Sequence, residues 1–118
     1  MNLTLRDVSE GVCRKFGMTM DQIRGVNATR HYARPRQIVM FLARELTSQS
    51  LHQIGRYLCR DHTTIYVGAR RVRLRMETDP ELAAAVSECR EMILQRGSWK
   101  VGATEMLASV PLVEVRAA

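Results

Sequence analysis

The chain has 118 residues, enough for one small domain with a single core and too few for two. Hydrophobic residues make up 46% and aromatic residues 5%, so the composition is globular and aliphatic side chains must fill the interior. A formal net charge of +6 argues against an acidic solvating chain and for an anionic partner.

No apolar run approaches the roughly 18 residues of a membrane span, and the N-terminus lacks the apolar core of a signal peptide. The expectation is a soluble, cytoplasmic protein. Cys13, Cys59 and Cys89 form no CxxC pair and have no histidine at zinc-ligand spacing. They read as reduced thiols, and neither a metal nor a cofactor is expected.

Thr4 and Asp7 have the spacing of a capping pair, and Leu5, Val8, Val12 and Phe16 follow three and four residues apart. This predicts a first helix over 5–16, stopped by Gly17. Thr19 with Gln22 repeats the pattern and predicts a short second helix through Ile23, closed near Gly25. Residues 25–33 show no period and read as a surface loop. Pro35 suits the first turn of a third helix over 35–47, whose core stripe is Ile38, Phe41, Leu42 and Leu46. Arg36 and Arg44 lie off that stripe and are expected to reach solvent or a ligand.

Ser50 with Gln53 opens a fourth helix over 51–58, with Leu51, Ile54, Tyr57 and Leu58 as its stripe. After Cys59-Arg60-Asp61 the period resumes with Ile65, Ala69, Val72 and Met76, a fifth helix over 62–77 capped by Asp61. Two helices joined by about three residues, the second longer and basic, have the form of a helix-turn-helix. Asp79-Pro80-Glu81 restarts the chain as a sixth helix over 80–95, ending near Gly97. Residues 98–118 are expected to form an irregular tail after a domain spanning 1–97.

The basic charge is concentrated. Eleven arginines from Arg24 to Arg75 face only Glu45 and Asp61, and the chain's lysines are Lys15 and Lys100. Arginine's planar fork of donors suits phosphate oxygens and guanine edges, so this bias favours nucleic acid. At the head of the fifth helix, Asp61-His62-Thr63-Thr64 offers donors, acceptors and methyl groups to base edges in a major groove. The positive end of the helix dipole there favours a nearby phosphate. The same four residues would also serve as a plain capping sequence.

Residues 33–72 resemble the C-terminal DNA-binding domain (domain IV) of the bacterial replication initiator DnaA family. The resemblance rests on Ala33-Arg34-Pro35-Arg36-Gln37, on Ser50-Leu51-His52-Gln53-Ile54-Gly55 and on Arg60-Asp61-His62-Thr63-Thr64. It implies a compact all-α bundle of about six helices, related in design to the Trp repressor head, that binds a short box in double-stranded DNA. Carried over by position, it implies that Asp61, His62, Thr63 and Thr64 read bases and that Arg30, on the basic loop, enters the minor groove. Arg34, Arg36, Arg44, His52, Arg60, Arg70 and Arg71 would lie along the backbone. This sequence departs from the family at Cys59, where a glycine usually stands, and at His52, where a proline does. The minor-groove arginine of the family aligns with Ala28, two places before Arg30.

The chain has no GxxxxGK(S/T) phosphate loop. It therefore reads as a stand-alone domain-IV-like protein that regulates replication or transcription by occupying DnaA-box-like sites, nucleoid-associated and without ATPase activity. A replication or transcription protein could dock on the tail. The alternative is a module of the same fold that binds an initiator or a helicase-loading partner. No paired carboxylates or nucleophile–base pair stands out, so neither an enzyme nor a small-molecule substrate is expected.

Overall fold

Thr4 opens helix α1 (Leu5–Phe16) with a reciprocal cap: its hydroxyl accepts from the Asp7 N–H at 3.1 Å, and the Asp7 carboxylate accepts from the Thr4 N–H at 3.0 Å. The computed structural model describes residues 3–109 of the chain, and side chains over residues 3–95. Thr19 and Gln22 cap α2 (Met20–Arg24) in the same way, as do Ser50 and Gln53 for α4 (Leu51–Leu58). Each box satisfies two backbone donors that a helix start leaves unpaired. Gly17 ends α1 in the left-handed conformation at φ 65°.

The remaining helices are α3 (Arg30–Leu46), α5 (His62–Arg75) and α6 (Pro80–Ser109). Among the described residues there is no strand. The Asp61 side chain accepts from the Thr63 N–H at 3.0 Å to start α5, and the Asp79 side chain accepts from the Leu82 N–H at 3.1 Å beside the start of α6. α3 packs mainly against α5, α1 against α6, and α4 against α5. Val8, Val12, Ile23, Ile38, Leu42, Ile54, Leu58, Ile65, Val86 and Ile93 are fully buried where these helices meet.

Two boundaries differ by more than two residues from the sequence-based expectation, while α5 ends at Arg75 rather than 77 and α3 at Leu46 rather than 47. α3 begins at Arg30, so the expected loop over 25–33 yields its last residues to the helix and Pro35 sits inside it. The first turn is closed by the Thr29 carbonyl, which accepts from Ala33 N–H at 2.8 Å. Proline at the sixth position forgoes its own bond to the preceding turn and crowds the carbonyl of His31, and its ring is buried. α6 continues to Ser109 rather than stopping near Gly97, so the tail expected to be irregular is helical over 98–109. Gly97 and Gly102 each cost about 1 kcal/mol relative to alanine, too little to end a helix with no proline before Pro111. Residues 110–118 lie outside the described residues.

Candidate nucleic-acid interface

The helix-turn-helix is closed at Gly55. The Gly55 carbonyl accepts from the Arg60 N–H at 2.8 Å, and a Cβ on Gly55 would lie 2.5 Å from the Arg60 carbonyl oxygen. Only glycine lets the end of α4 approach the start of α5 this closely. Cys59 makes the reversal with φ 60° and ψ 42°. It is the positive-φ residue other than glycine among the described residues. The missing glycine noted in the sequence is therefore a left-handed cysteine, which L-residues adopt at a cost of about 1–2 kcal/mol.

This turn presents the head of α5. His62, Thr63 and Thr64 are exposed, while Ile65, Gly68, Ala69 and Val72 turn to the core. Asp61 accepts from the backbone N–H of Thr63, and this bond, then the nearby Thr63 hydroxyl, hold its carboxyl below the usual carboxylate range; His62 and His52 add to this. His62 Nδ1 lies 3.5 Å from Asp61 Oδ1, and the His52 and His62 rings stack with centroids 4.1 Å apart. Asp61, His62, Thr63 and His52 thus form one contiguous cluster.

Beyond the first turn, the outer face of α5 carries Thr63, Val67, Arg70 and Leu74 in line, flanked by Tyr66, Arg71, Arg73 and Arg75. Tyr66 and Val67 are each 43% exposed. Neither was singled out from sequence; the signal was their position one turn beyond Thr63 and off the Ile65–Ala69–Val72 stripe. Arg44 extends from α3 over the Tyr66 ring, 5.7 Å from its centroid. Gln37 and Met40 of α3 line a groove with Thr63, Thr64, Val67, Gly68 and Arg71.

The field along this face is positive. Among the described residues, Arg70, Arg71, Arg73 and Arg75 join no ion pair. Glu45 is engaged by Arg90 of α6 through two bonds of 2.8 and 3.2 Å. Asp61 is then the one acid of the arginine-rich stretch turned toward the head of α5.

Two arginines expected at a phosphate backbone donate instead to carbonyls within the fold. Arg36 is 5% exposed and donates to the carbonyls of Ile23 at 2.6 Å, Gln22 at 2.9 Å and Asn27 at 3.0 Å. Burial, then the neighbouring Arg60, lowers its pKa. Arg36 shares a helix face with Val39, Met40 and Ala43, so the buried side of α3 is wider than the stripe read from sequence. Arg60 is half-buried and donates to the carbonyls of Arg24 at 3.1 Å, Leu58 at 3.0 Å and Gly25. Arg24 completes the set, donating to the Tyr57 carbonyl at 2.7 Å with its guanidinium 4.6 Å from the Tyr57 ring centroid. Arg24 and Arg60 fasten the end of α2 to the helix-turn-helix, and Arg36 fastens it to α3, by donating to carbonyls at or near helix ends.

Arg30 and Arg34 form a separate flank. With Arg75, Thr78, Asp79 and Pro80 they line an open groove of about 530 Å³, and Arg34 Nη2 lies 3.9 Å from Asp79 Oδ2. Arg30 is an exposed first residue of α3, where a loop residue was expected. The described residues contain no group of three or more side chains able to hold a metal ion. None of their helices is long and apolar enough to cross a membrane.

A family model described as the bacterial dnaA protein helix-turn-helix matches residues 5–72. The chromosomal replication initiator protein DnaA of Deinococcus radiodurans is 39% identical over 89 residues, covering 75% of this chain and 19% of the relative. The protein of the same name from a Ruegeria species is 37% identical over 92 residues, covering 77% and 20%. That of Caldanaerobacter subterraneus is 34% identical over 91 residues, again covering 77% and 20%. The chain therefore spans about a fifth of the length of these curated relatives. The matched segment takes in α1 through most of α5, including all of α4 and the turn, and the chain belongs to the bacterial DnaA helix-turn-helix family.

Proposed function

We propose that the protein binds double-stranded DNA at DnaA-box-like sites and thereby regulates replication initiation or transcription at the nucleoid. The observation that carries this reading is the exposed head of α5, where His62, Thr63 and Thr64 stand at the end of an arginine-rich face. Inserted in a major groove, Asp61, His62, Thr63 and Thr64 read base edges, and Arg44, Arg70 and Arg71 meet phosphates on either side. Arg30 and Arg34 line the flanking groove and reach the DNA beyond the box, Arg30 toward the minor groove. Binding is the whole of the activity: no catalytic step, cofactor or ATP hydrolysis is assigned to these residues. A replication or transcription protein recruited through the C-terminal segment would convert occupancy into regulation.

Selection of bound duplexes from a random pool tests this. The expected outcome is enrichment of one short asymmetric box. With about six phosphates contacted, log K for that box should fall against log salt with a slope of about −5. A pool that emerges unenriched, or binding that does not respond to salt, would contradict the proposal. Co-purification with a replication protein in the absence of any DNA binding would favour the protein-interaction alternative.

A further inference from the structure

His52 and His62 meet across the turn of the helix-turn-helix, ten residues apart in sequence. Their ring centroids are 4.1 Å apart with the planes inclined by 33°. His52 is the second residue of α4 and His62 the first of α5, and both are exposed. At its edge, the His62 ring has Asp61 Oδ1 3.5 Å from Nδ1, and Asp61 is itself tied to the Thr63 N–H at 3.0 Å. The His62 ring is thus bounded on one face by an imidazole and at one edge by a carboxylate.

An exposed ring at the first position of a helix has little packing to select its rotamer. A side chain that must be immobilised on binding loses affinity, and one already held in its bound rotamer does not. Ring contact supplies the holding force through dispersion and quadrupole attraction. The supporting helix otherwise packs against α5 with Ile54 and Leu58 buried and Gly55 close to the start of α5, which fixes the helix but not a side chain on its outer end.

We propose that His52 is a positioning residue for base readout, stacking on His62 and holding that ring in the pose in which it meets a base edge. The inference rests on the DNA-reading function proposed above and extends specificity to a residue of the supporting helix. It differs from a phosphate contact by His52 in what each substitution should do. A phosphate contact needs the imidazole's donor and acts on every sequence alike. A stacking partner needs only an aromatic face and acts through His62.

The test compares the wild-type protein with His52→Ala, His52→Phe, His62→Ala and the His52→Ala/His62→Ala double variant. Fluorescence anisotropy is read on the duplex selected by the wild-type protein and on a scrambled duplex. His52→Ala should lower the preference for the selected duplex about three- to tenfold, with the affinity for scrambled DNA and the salt slope unchanged. His52→Phe should restore the preference, and His52→Ala should add nothing once His62 is alanine. Equal losses for His52→Ala and His52→Phe on both duplexes, with a shallower salt slope, would overturn the proposal in favour of a phosphate contact.

A second readout does not involve DNA. In the free protein, the His62 ring protons should be shifted upfield by the neighbouring ring, return downfield in His52→Ala and stay shifted in His52→Phe. Absence of that shift in a protein that still prefers its duplex would overturn the positioning role alone. A wild-type protein with the shift but no duplex preference would overturn the DNA-reading function, and the positioning role with it.

Discussion

Gly55 and Arg60 touch backbone to backbone: the Arg60 N–H donates to the Gly55 carbonyl at 2.8 Å, and a Cβ on Gly55 would stand 2.5 Å from the Arg60 oxygen. Because the obstructing atom belongs to the backbone, it cannot swing away. Gly55→Ala should therefore lose about 2 kcal/mol of stability despite alanine's better helix propensity, the overlap outweighing a gain of about 1 kcal/mol. Urea unfolding would show it as a lower midpoint with an unchanged slope. A midpoint at or above that of the wild-type protein would contradict the close approach.

Cys59, four residues on, carries the opposite kind of signal. Its φ of 60° is unfavourable for any residue with a Cβ, and the side chain is exposed. Cys59→Gly should stabilise the protein by about 0.5–1 kcal/mol, the relief of the left-handed conformation exceeding glycine's extra unfolded-state freedom. The check is the same urea titration. Thiol chemistry should also separate the cysteines: Cys59 is exposed, whereas burial pushes the Cys89 thiol up to about 11. Cys59 should therefore be the faster of the two to label at neutral pH.

Arg36 and Arg44 look alike in the sequence and should behave in opposite ways. Arg36→Ala removes the side-chain donor from three carbonyls near the end of α2, of which Gln22 keeps the Gly25 N–H, and should cost about 2–4 kcal/mol of stability. Arg36→Lys keeps the charge but loses the fork, and should recover only part of that. Arg44→Ala should change stability by less than about 0.5 kcal/mol and weaken binding to selected and scrambled DNA alike. Paired unfolding and anisotropy measurements separate the two.

What could be read from the chain follows from how local each signal is. Thr4 with Asp7, Thr19 with Gln22, Ser50 with Gln53, Asp61 with Thr63 and Asp79 with Leu82 are each complete within four residues, so five of the six helix starts needed no tertiary information. The start of α3 was missed because Thr29 closes its first turn through backbone alone, with no side-chain cap to see. The carbonyl contacts of Arg36 and Arg60 were hidden in the sequence for a different reason. Apart from Leu58, their carbonyl partners lie 9–14 and 35–36 residues away, and the docking of the α2 segment brings these within reach. The His52–His62 stack likewise depends on the geometry of the turn, although both residues were singled out.

Asp61 gives α5 a pH-dependent start. Its carboxyl is held below the usual carboxylate range, chiefly by the Thr63 N–H and then by the Thr63 hydroxyl. A depressed folded-state pKa contributes stability above the unfolded value, and that contribution is lost as pH falls through the folded value. Asp61→Asn retains a capping oxygen but cannot titrate. The variant's urea midpoint should fall less steeply than that of the wild-type protein as pH drops from about 5 toward 2. Identical acid limbs would show that Asp61 titrates as it does in the unfolded chain.

The central claim is that the head of α5 reads bases while its arginine flank reads only the backbone, and one comparison tests it directly. Affinities of the wild-type protein, His62→Ala and Thr63→Val are measured on the selected duplex and on a scrambled one at one salt concentration. The account predicts that each substitution costs about 1–3 kcal/mol on the selected duplex and little on the scrambled one. Equal losses on both duplexes would contradict it, reducing the head of α5 to one more contact with the phosphate backbone.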